Sequence, residues 1–303
     1  MTTDTDVRSP VEGGVGPAEP VRTRSRRRRI PVSSVVRHTV MLLGAFLMIY
    51  PLLWLVVSSF RPADEIFRHS GLFITHLDFE NYTSGWNALA RPFQSYLMNS
   101  AILVIGAIIG NLFSCSLAAY AFARLEFRGK KWMFGAMLLT IMIPIHVIIV
   151  PQYIFFSRLD LINTFVPLLL PKFLATDSFF VFLMVQFIRG IPRELDEAAR
   201  VDGAGHPRIF LKIILPLMTP ALAATAIFTF IWTWNDFFSA LIFLTDADVQ
   251  TVPVALRSFI DASGSSNFGG MFAMSIVSLF PVFLVFLFGQ KYLVKGIATT
   301  GLK

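Results

Sequence analysis

The sequence predicts an all-α, polytopic membrane protein with six transmembrane helices, and three observations predict it. Hydrophobic types make up 55% of the 303 residues and charged types only 15%, against about 25% charged in soluble domains; mean hydropathy is +0.65. The apolar residues are gathered into runs that reach the roughly 20 residues a helix needs to cross a bilayer. Lys and Arg are divided unequally between the segments that join those runs. This much apolar surface excludes a disordered chain. A single Cys excludes a disulfide-stapled secreted domain, and an ordinary soluble enzyme fits the composition poorly.

Each span follows from a stretch free of Asp, Glu, Lys and Arg. These are Thr39 to Phe60, Pro92 to Ala123, Trp132 to Ser157, Ile213 to Asn235 and Ala262 to Gln290. The fifth resumes after Asp236 as Phe237 to Thr245. Between Leu161 and Ile188 lies a further apolar region interrupted by Lys172 and Asp177, with Pro167 and Pro171 inside it. It is expected to form a fourth span with a frayed or kinked outer end, and Lys172 to snorkel to the outer interface.

An even number of spans puts both termini on one side. The segments 1–38, 123–131, 188–212 and the tail from Lys291 carry twenty Lys/Arg. The opposite segments carry five: Arg61, Arg68, Arg91, Arg158 and Arg257. The positive-inside rule then places both termini and both basic loops in the cytoplasm. The net charge of +7 is mainly this topological signal. Contact with nucleic acid is not expected, although the run Arg26 to Arg29 is basic. Residues 1–30 read as a disordered basic tail, with no cleavable signal peptide, and 31–303 as one six-span domain. Two longer segments, 61–91 and 246–268, face outward.

The most informative segment is the polar loop 189–216. Pro192 suits a first helical turn, and Glu194, Asp196 and Glu197 follow where the helix dipole favours anions. Leu195, Ala198, Ala199 and Asp202 share one face, with alanines small enough to let another protein approach. Gly203 is suited to a positive φ that ends the helix. Pro207 begins a second short helix with Ile209, Ile213 and Leu215 on its apolar side, and Pro216 and Pro220 mark the turn into span five.

Glu197-Ala198-Ala199, then Gly203, then Ile213-x-Leu215-Pro216 resembles the EAA motif of the membrane-spanning subunits of ABC importers. In that family the loop docks on the ATPase subunit and transmits its motion. The resemblance assigns ATPase coupling to Glu197, Ala198, Ala199, Arg200, Asp202, Gly203, Ile213, Leu215 and Pro216. The stretches Arg193 to Ala204, Trp234-Asn-Asp-Phe237 and Gln290 to Ala298 resemble more narrowly the maltose-transporter-like carbohydrate permeases. The ending Gly296-Ile-Ala-Thr-Thr-Gly-Leu-Lys303 departs from that family's Gly-Leu-Thr-Ala-Gly-like tail, which leaves the sugar open. The resemblance implies a bacterial plasma (inner) membrane location and a related permease as heterodimer partner. It also implies two cytoplasmic ATPase subunits and an extracytoplasmic solute-binding protein that meets the outer segments.

No G-x-x-x-x-G-K-[ST] phosphate cradle is present, so ATP and Mg are assigned to the partner ATPases and no cofactor to this chain. The five His are scattered without metal-ligand spacing, and no Gly-x-Ser-x-Gly elbow occurs; no catalytic or metal residue is expected. Polar groups at membrane depth face a cavity or the bundle interior. Asp177, Trp232, Trp234, Asn235, Asp236, Asn99 and Asn111 are therefore candidates to line the translocation path. Interhelical hydrogen bonding is the other reading, and the favoured one for Asn99 and Asn111. Gly106 and Gly110 make a small-xxx-small face directed either into the bundle or at the partner permease. Two alternatives to a sugar importer are an ABC permease for an amino acid or polyamine and a proton- or sodium-coupled carrier.

Overall fold

The computed structural model describes residues 32–62, 64–68, 71–73, 77–260 and 266–298. The basic tail 1–30, the tip at Gly264 and the terminal residues 299–303 lie outside the described residues. The described residues contain helices and no strand. Two units are distinguished, one ending at Ile49 and one running from Tyr50 to Lys303. In the first, the described part is the opening of α1 (Val32–Ser59), whose Leu42, Leu47 and Met48 are exposed apolar residues suited to lipid.

In the second unit, α3 (Phe93–Arg124) is the central element. Its 32 residues extend about 48 Å at 1.5 Å per residue, enough to cross the hydrocarbon and both interfaces. One stripe, Ile102, Ile105, Ile109, Phe113 and Leu117, is exposed and recurs at three- and four-residue spacing, the period of a lipid-facing helix side. The opposite side buries Leu103, Val104, Ala107, Asn111 and Cys115.

The remaining spans are more broken than their apolar runs suggest. Span three divides into α4 (Lys130–Thr140) and α5 (Ile145–Arg158), bent by 99°. The break falls at Pro144, which holds φ −62° and ψ 138° and disfavours helix in the residue before it. Span four divides into α6 (Val166–Phe173) and α7 (Ser178–Arg189) around Leu174 to Asp177. This break is not a frayed end but an interior interruption, with Ala175 at φ 55°. Span five is α11 (Thr219–Trp234), bent by 74° from the segment His206–Leu217 before it. Span six is α14 (Phe268–Ala298), unbroken despite Pro281. Four helices or joined segments are thus long and apolar enough to cross a membrane, and six if each bent pair is one span.

Short helices that the apolar pattern did not announce lie in the segments 61–91 and 246–268, namely α2 (Glu80–Asn87) and α13 (Val252–Ser258), and the apolar run Phe237 to Thr245 forms a separate short helix, α12 (Phe238–Phe243). Gly85 of α2 lies so close to Gly270 of α14 that an added Cβ would be 2.9 Å from its Cα. Phe93, Tyr96, Phe230, Trp234, Val252 and Met274 form one core cluster. A second cluster, with Phe180, Met184, Ile188, Ile209 and Ile214, joins α3 and α7 to the loop that follows α7.

The small-xxx-small face of α3 turns inward. A Cβ on Gly106 would lie 2.9 Å from Leu169, and one on Gly110 would lie 2.9 Å from Phe173. Both neighbours belong to α6, so this face is spent on packing within the chain.

Candidate functional site

Two places gather the functional candidates. The first is the loop after α7. Helix α8 (Glu194–Val201) carries Glu194, Asp196 and Glu197 in its first turn, where their charge opposes the positive end of the helix dipole. Gly203 adopts φ +79°. Its N–H donates to the Arg200 carbonyl at 2.9 Å, and the Ala204 N–H donates to the Ala199 carbonyl at 2.9 Å. That pair of bonds is the Schellman closure, which satisfies carbonyls left open at a helix end. No atom lies within 4 Å of where a Cβ on Gly203 would stand; glycine is required by conformation alone.

The helix has a sharply two-sided character. Glu197, Ala198 and Val201 are exposed, and Ala199 is half-buried against the core of α3 and α7. Asp196 is buried. Its Oδ2 lies 3.0 Å from Nε of Arg124, with side-chain exposures of 6% and 3%. The N–H at Nε points out of line, so the contact is an ion pair and not an aligned hydrogen bond. Arg124 also donates through Nη2 to the Ile191 carbonyl at 2.7 Å. The last residue of α3 thereby holds both the start of the loop and its helix. A polar cleft of about 520 Å³ opens beside this pair, bordered by Arg193, Glu197 and Arg200.

After Gly203, α9 (His206–Ile209) begins one residue before the expected Pro207, which sits in its first turn, and passes through a π-helical turn, Phe210–Ile214, into α10 (Leu215–Leu217). The wider turn rotates the apolar face. Ile209, Phe210 and Ile214 are buried, whereas Ile213 and Leu215 are only half-buried. The expected apolar side of Ile209, Ile213 and Leu215 is corrected accordingly.

The second place is a polar cluster about halfway along α3. Asn111 Nδ2 donates to Asp177 Oδ2 at 2.7 Å and to Thr229 Oγ1 at 3.1 Å. Lys172 Nζ lies 2.9 Å from the same Asp177 oxygen, and Ser114 Oγ donates to the Lys172 carbonyl at 2.6 Å. Three spans are joined here by polar groups that, at membrane depth, must be satisfied inside the protein or along a water-filled cavity. Lys172 does not snorkel: its partner is the carboxylate at the break between α6 and α7.

The other candidates are dispersed. Asn99 donates to the Asp248 and Gln250 carbonyls, both at 2.9 Å, and so ties α3 to the loop before α13. Trp232 is 50% exposed and stacks on Phe180 with centroids 5.1 Å apart. Trp234 is only 5% exposed and stacks on Phe230 at 5.6 Å, within the core that meets α14. Asn235 donates to the Ile231 carbonyl at 2.7 Å, and Asp236 accepts from the Ser239 N–H at 3.0 Å. Asn235 thus closes the end of α11, and Asp236 caps the start of α12. His146 is exposed against Phe238. No group of three metal-ligating side chains occurs among the described residues. A groove of about 800 Å³ along the α8-side half of α3 is lined mostly by apolar side chains such as Leu112, Phe113 and Leu211, which suits acyl chains or helices, not hydroxylated solutes.

Residues 110–299 match the family described as the binding-protein-dependent transport system inner membrane component. The chain belongs to this family. The permease is 36% identical to the probable ABC transporter permease protein YurM of Bacillus subtilis (strain 168), over 84% of this chain and 83% of that protein. It is 32% identical to the arabinooligosaccharides transport system permease protein AraQ of Halalkalibacterium halodurans, over 92% of this chain and 99% of that one. In fold the permease resembles a chain from the crystal structure of a bacterial ABC transporter involved in alginate import. The TM-score is 0.76 at 22% identity, covering 90% of this chain and 99% of that one.

The pairing of Arg124 with Asp196 is not among the sequence expectations, which place Asp196 only in the first turn of the loop helix. A signal was available: an arginine closing an apolar run, and a second acid beside Glu197 on the other side of a short helix. Periodicity separates Asp196 from Glu197 by about 100° and puts it with Ala199.

Proposed function

We propose that this permease forms the translocation path of an ATP-driven carbohydrate importer, with motion entering through the 193–216 loop. The observation that carries the reading is α8, exposed on its Glu197–Ala198 side and locked on its Asp196 side to Arg124 at the end of α3. A load applied to the exposed side passes through a buried ion pair into the longest described helix. ATPase subunits closing on ATP would pull α8 and tilt α3 with it; Gly203 sets the turn between α8 and the helix leading to span five. ATP and Mg belong to those subunits, and this chain catalyses no reaction of its own. Both termini are assigned to the cytoplasm on the Lys/Arg asymmetry. A related permease completes the pathway, and a solute-binding protein meets the outer segments 61–91 and 246–268.

For the solute, Asp177, Trp232 and Asn235 keep exposed surface and are assigned to the path, with Asp236 beside them. Asn99, Asn111 and Trp234 brace the helices around it. The carbohydrate class is supported by relatives such as the arabinooligosaccharide permease and by the pairing of carboxylate and amide groups with an exposed indole.

The test is uptake by the reconstituted importer. Glu197→Lys is expected to release the ATPase subunits on copurification and to abolish uptake while the helices stay folded. Normal copurification with normal uptake would overturn the coupling role. In a solute panel the wild type should take up oligosaccharides; uptake of amino acids or polyamines instead would overturn the substrate class.

A further inference from the structure

The connection between α3 and α4, together with the end of α7, encloses a pocket of about 590 Å³ that the transport mechanism does not use. Its charged lining is Glu126, Lys130, Lys131 and Arg189. Lys130 is committed, with Nζ 3.0 Å from Glu126 Oε1 and donating to the Leu125 carbonyl at 2.7 Å. Those two charges offset each other. Lys131 and Arg189 form no ion pair among the described residues. The Arg189 guanidinium instead lies over the Phe134 ring, 5.3 Å from its centroid, which fixes its planar fork without using its donors. The pocket therefore has two available cations between aromatic walls.

Its place in the fold narrows the ligand. The pocket lies where apolar helices end, and its rim residue Trp132 is 86% exposed. Exposed Trp beside cations at a span end is the pattern of the membrane–water interface. Beyond Trp132, Met133 and Leu139 are also exposed and continue an apolar surface along α4. We propose that the pocket binds the phosphate headgroup of an anionic glycerophospholipid. Lys131 and Arg189 take the phosphate oxygens, Trp132 takes the glycerol region, and the acyl chains follow the exposed side of α4. Basic pockets at span ends suit such headgroups, and a free phosphate would have no use for the apolar strip. Arg189 ends α7 only a few residues before α8, so an occupied pocket braces the base of the coupling loop. The proposal depends on the membrane setting of the family and not on the sugar reading.

The test is native mass spectrometry of the purified full transporter complex with phosphatidylglycerol and phosphatidylcholine. Relative to wild type, the Lys131→Gln/Arg189→Gln double variant should bind phosphatidylglycerol about thirtyfold more weakly, at about fivefold per cation near a membrane surface. Phosphatidylcholine retention should not change. If the double variant fails to assemble, Lys131→Gln against its charge-keeping control Lys131→Arg makes the same comparison at about fivefold. Equal phosphatidylglycerol retention by variant and wild type would overturn the proposal. So would displacement of the lipid by millimolar inorganic phosphate, which marks a soluble-anion site. Loss of an ATPase subunit with lipid retention intact would assign the pocket to a protein contact instead.

Discussion

Gly203 ends α8 with a positive φ and empty space where a side chain would begin. Any L-residue fits there sterically, but the left-handed conformation costs it about 1–2 kcal/mol. Gly203→Ala should therefore leave the spans unchanged and raise hydrogen exchange of the α8 amides about five- to thirtyfold, an effect confined to that helix. Arg124 and Asp196 pose the opposite case, because each is buried and each needs the other. Removing one partner leaves an uncompensated charge, so Arg124→Ala should lower stability by about 3–5 kcal/mol. An apolar pair of similar volume, Arg124→Met with Asp196→Leu, should recover most of the thermal stability in detergent. Uptake should recover less than stability does, since the apolar pair lacks the directional hold on the Ile191 carbonyl. Full recovery of uptake would show that packing alone transmits the load. Gly203 is legible in the sequence because its requirement is local. The role of Arg124 is not, because its partner Asp196 lies far along the chain.

At the scale of elements, the breaks matter more than the helices. Proline marks them in spans three and five, and periodicity finds the helices on either side. Neither says what becomes of the polar groups a break exposes. In span four they are taken up by Asn111 of α3 and by the Lys172–Asp177 pair, partners that only packing supplies. The loop 244–251 is held in a similar way. Asn163 Oδ1 accepts from the Thr245 and Asp246 N–H groups at 2.7 and 3.0 Å. Asn99 holds two carbonyls, and Arg91 Nη2 donates to Asp248 Oδ2 at 2.7 Å. The Arg91 hydrogen bond holds the Asp248 carboxyl below its ordinary value, and the carboxylate in turn raises Arg91. A depressed carboxylate pKa stabilises the folded loop above the unfolded value of about 3.9. That contribution is lost as pH falls through the lower folded value. Hydrogen exchange in 244–251, corrected for its intrinsic pH dependence, should rise as the medium is acidified below that range. Asp248→Asn should show the raised exchange already at neutral pH. A loop equally protected in both proteins at both pH values would remove the clamp from the account.

At the scale of the whole molecule, membership of the permease family and the helical fold agree with the apolar composition, and the Lys/Arg asymmetry supplies an orientation. Single cysteines in a Cys115→Ser background test it. Arg128→Cys should react only with reagent admitted to the cytoplasmic side, and Asp246→Cys only from outside. The reverse pattern would invert the topology and move α8 away from any cytoplasmic ATPase. What the sequence by itself determined is whatever depends on neighbours along the chain: membrane immersion, the apolar runs that form helices, the short helix Glu194–Val201 and its glycine stop. The tertiary structure alone decided that Gly106 and Gly110 pack on α6, that Trp234 is core, and that Asp196 and not Glu197 grips α3. These are contacts between distant segments, and within the bilayer a polar group must find its partner inside the protein. Hydropathy and spacing record that such groups exist; only the packed helices bring their partners within reach.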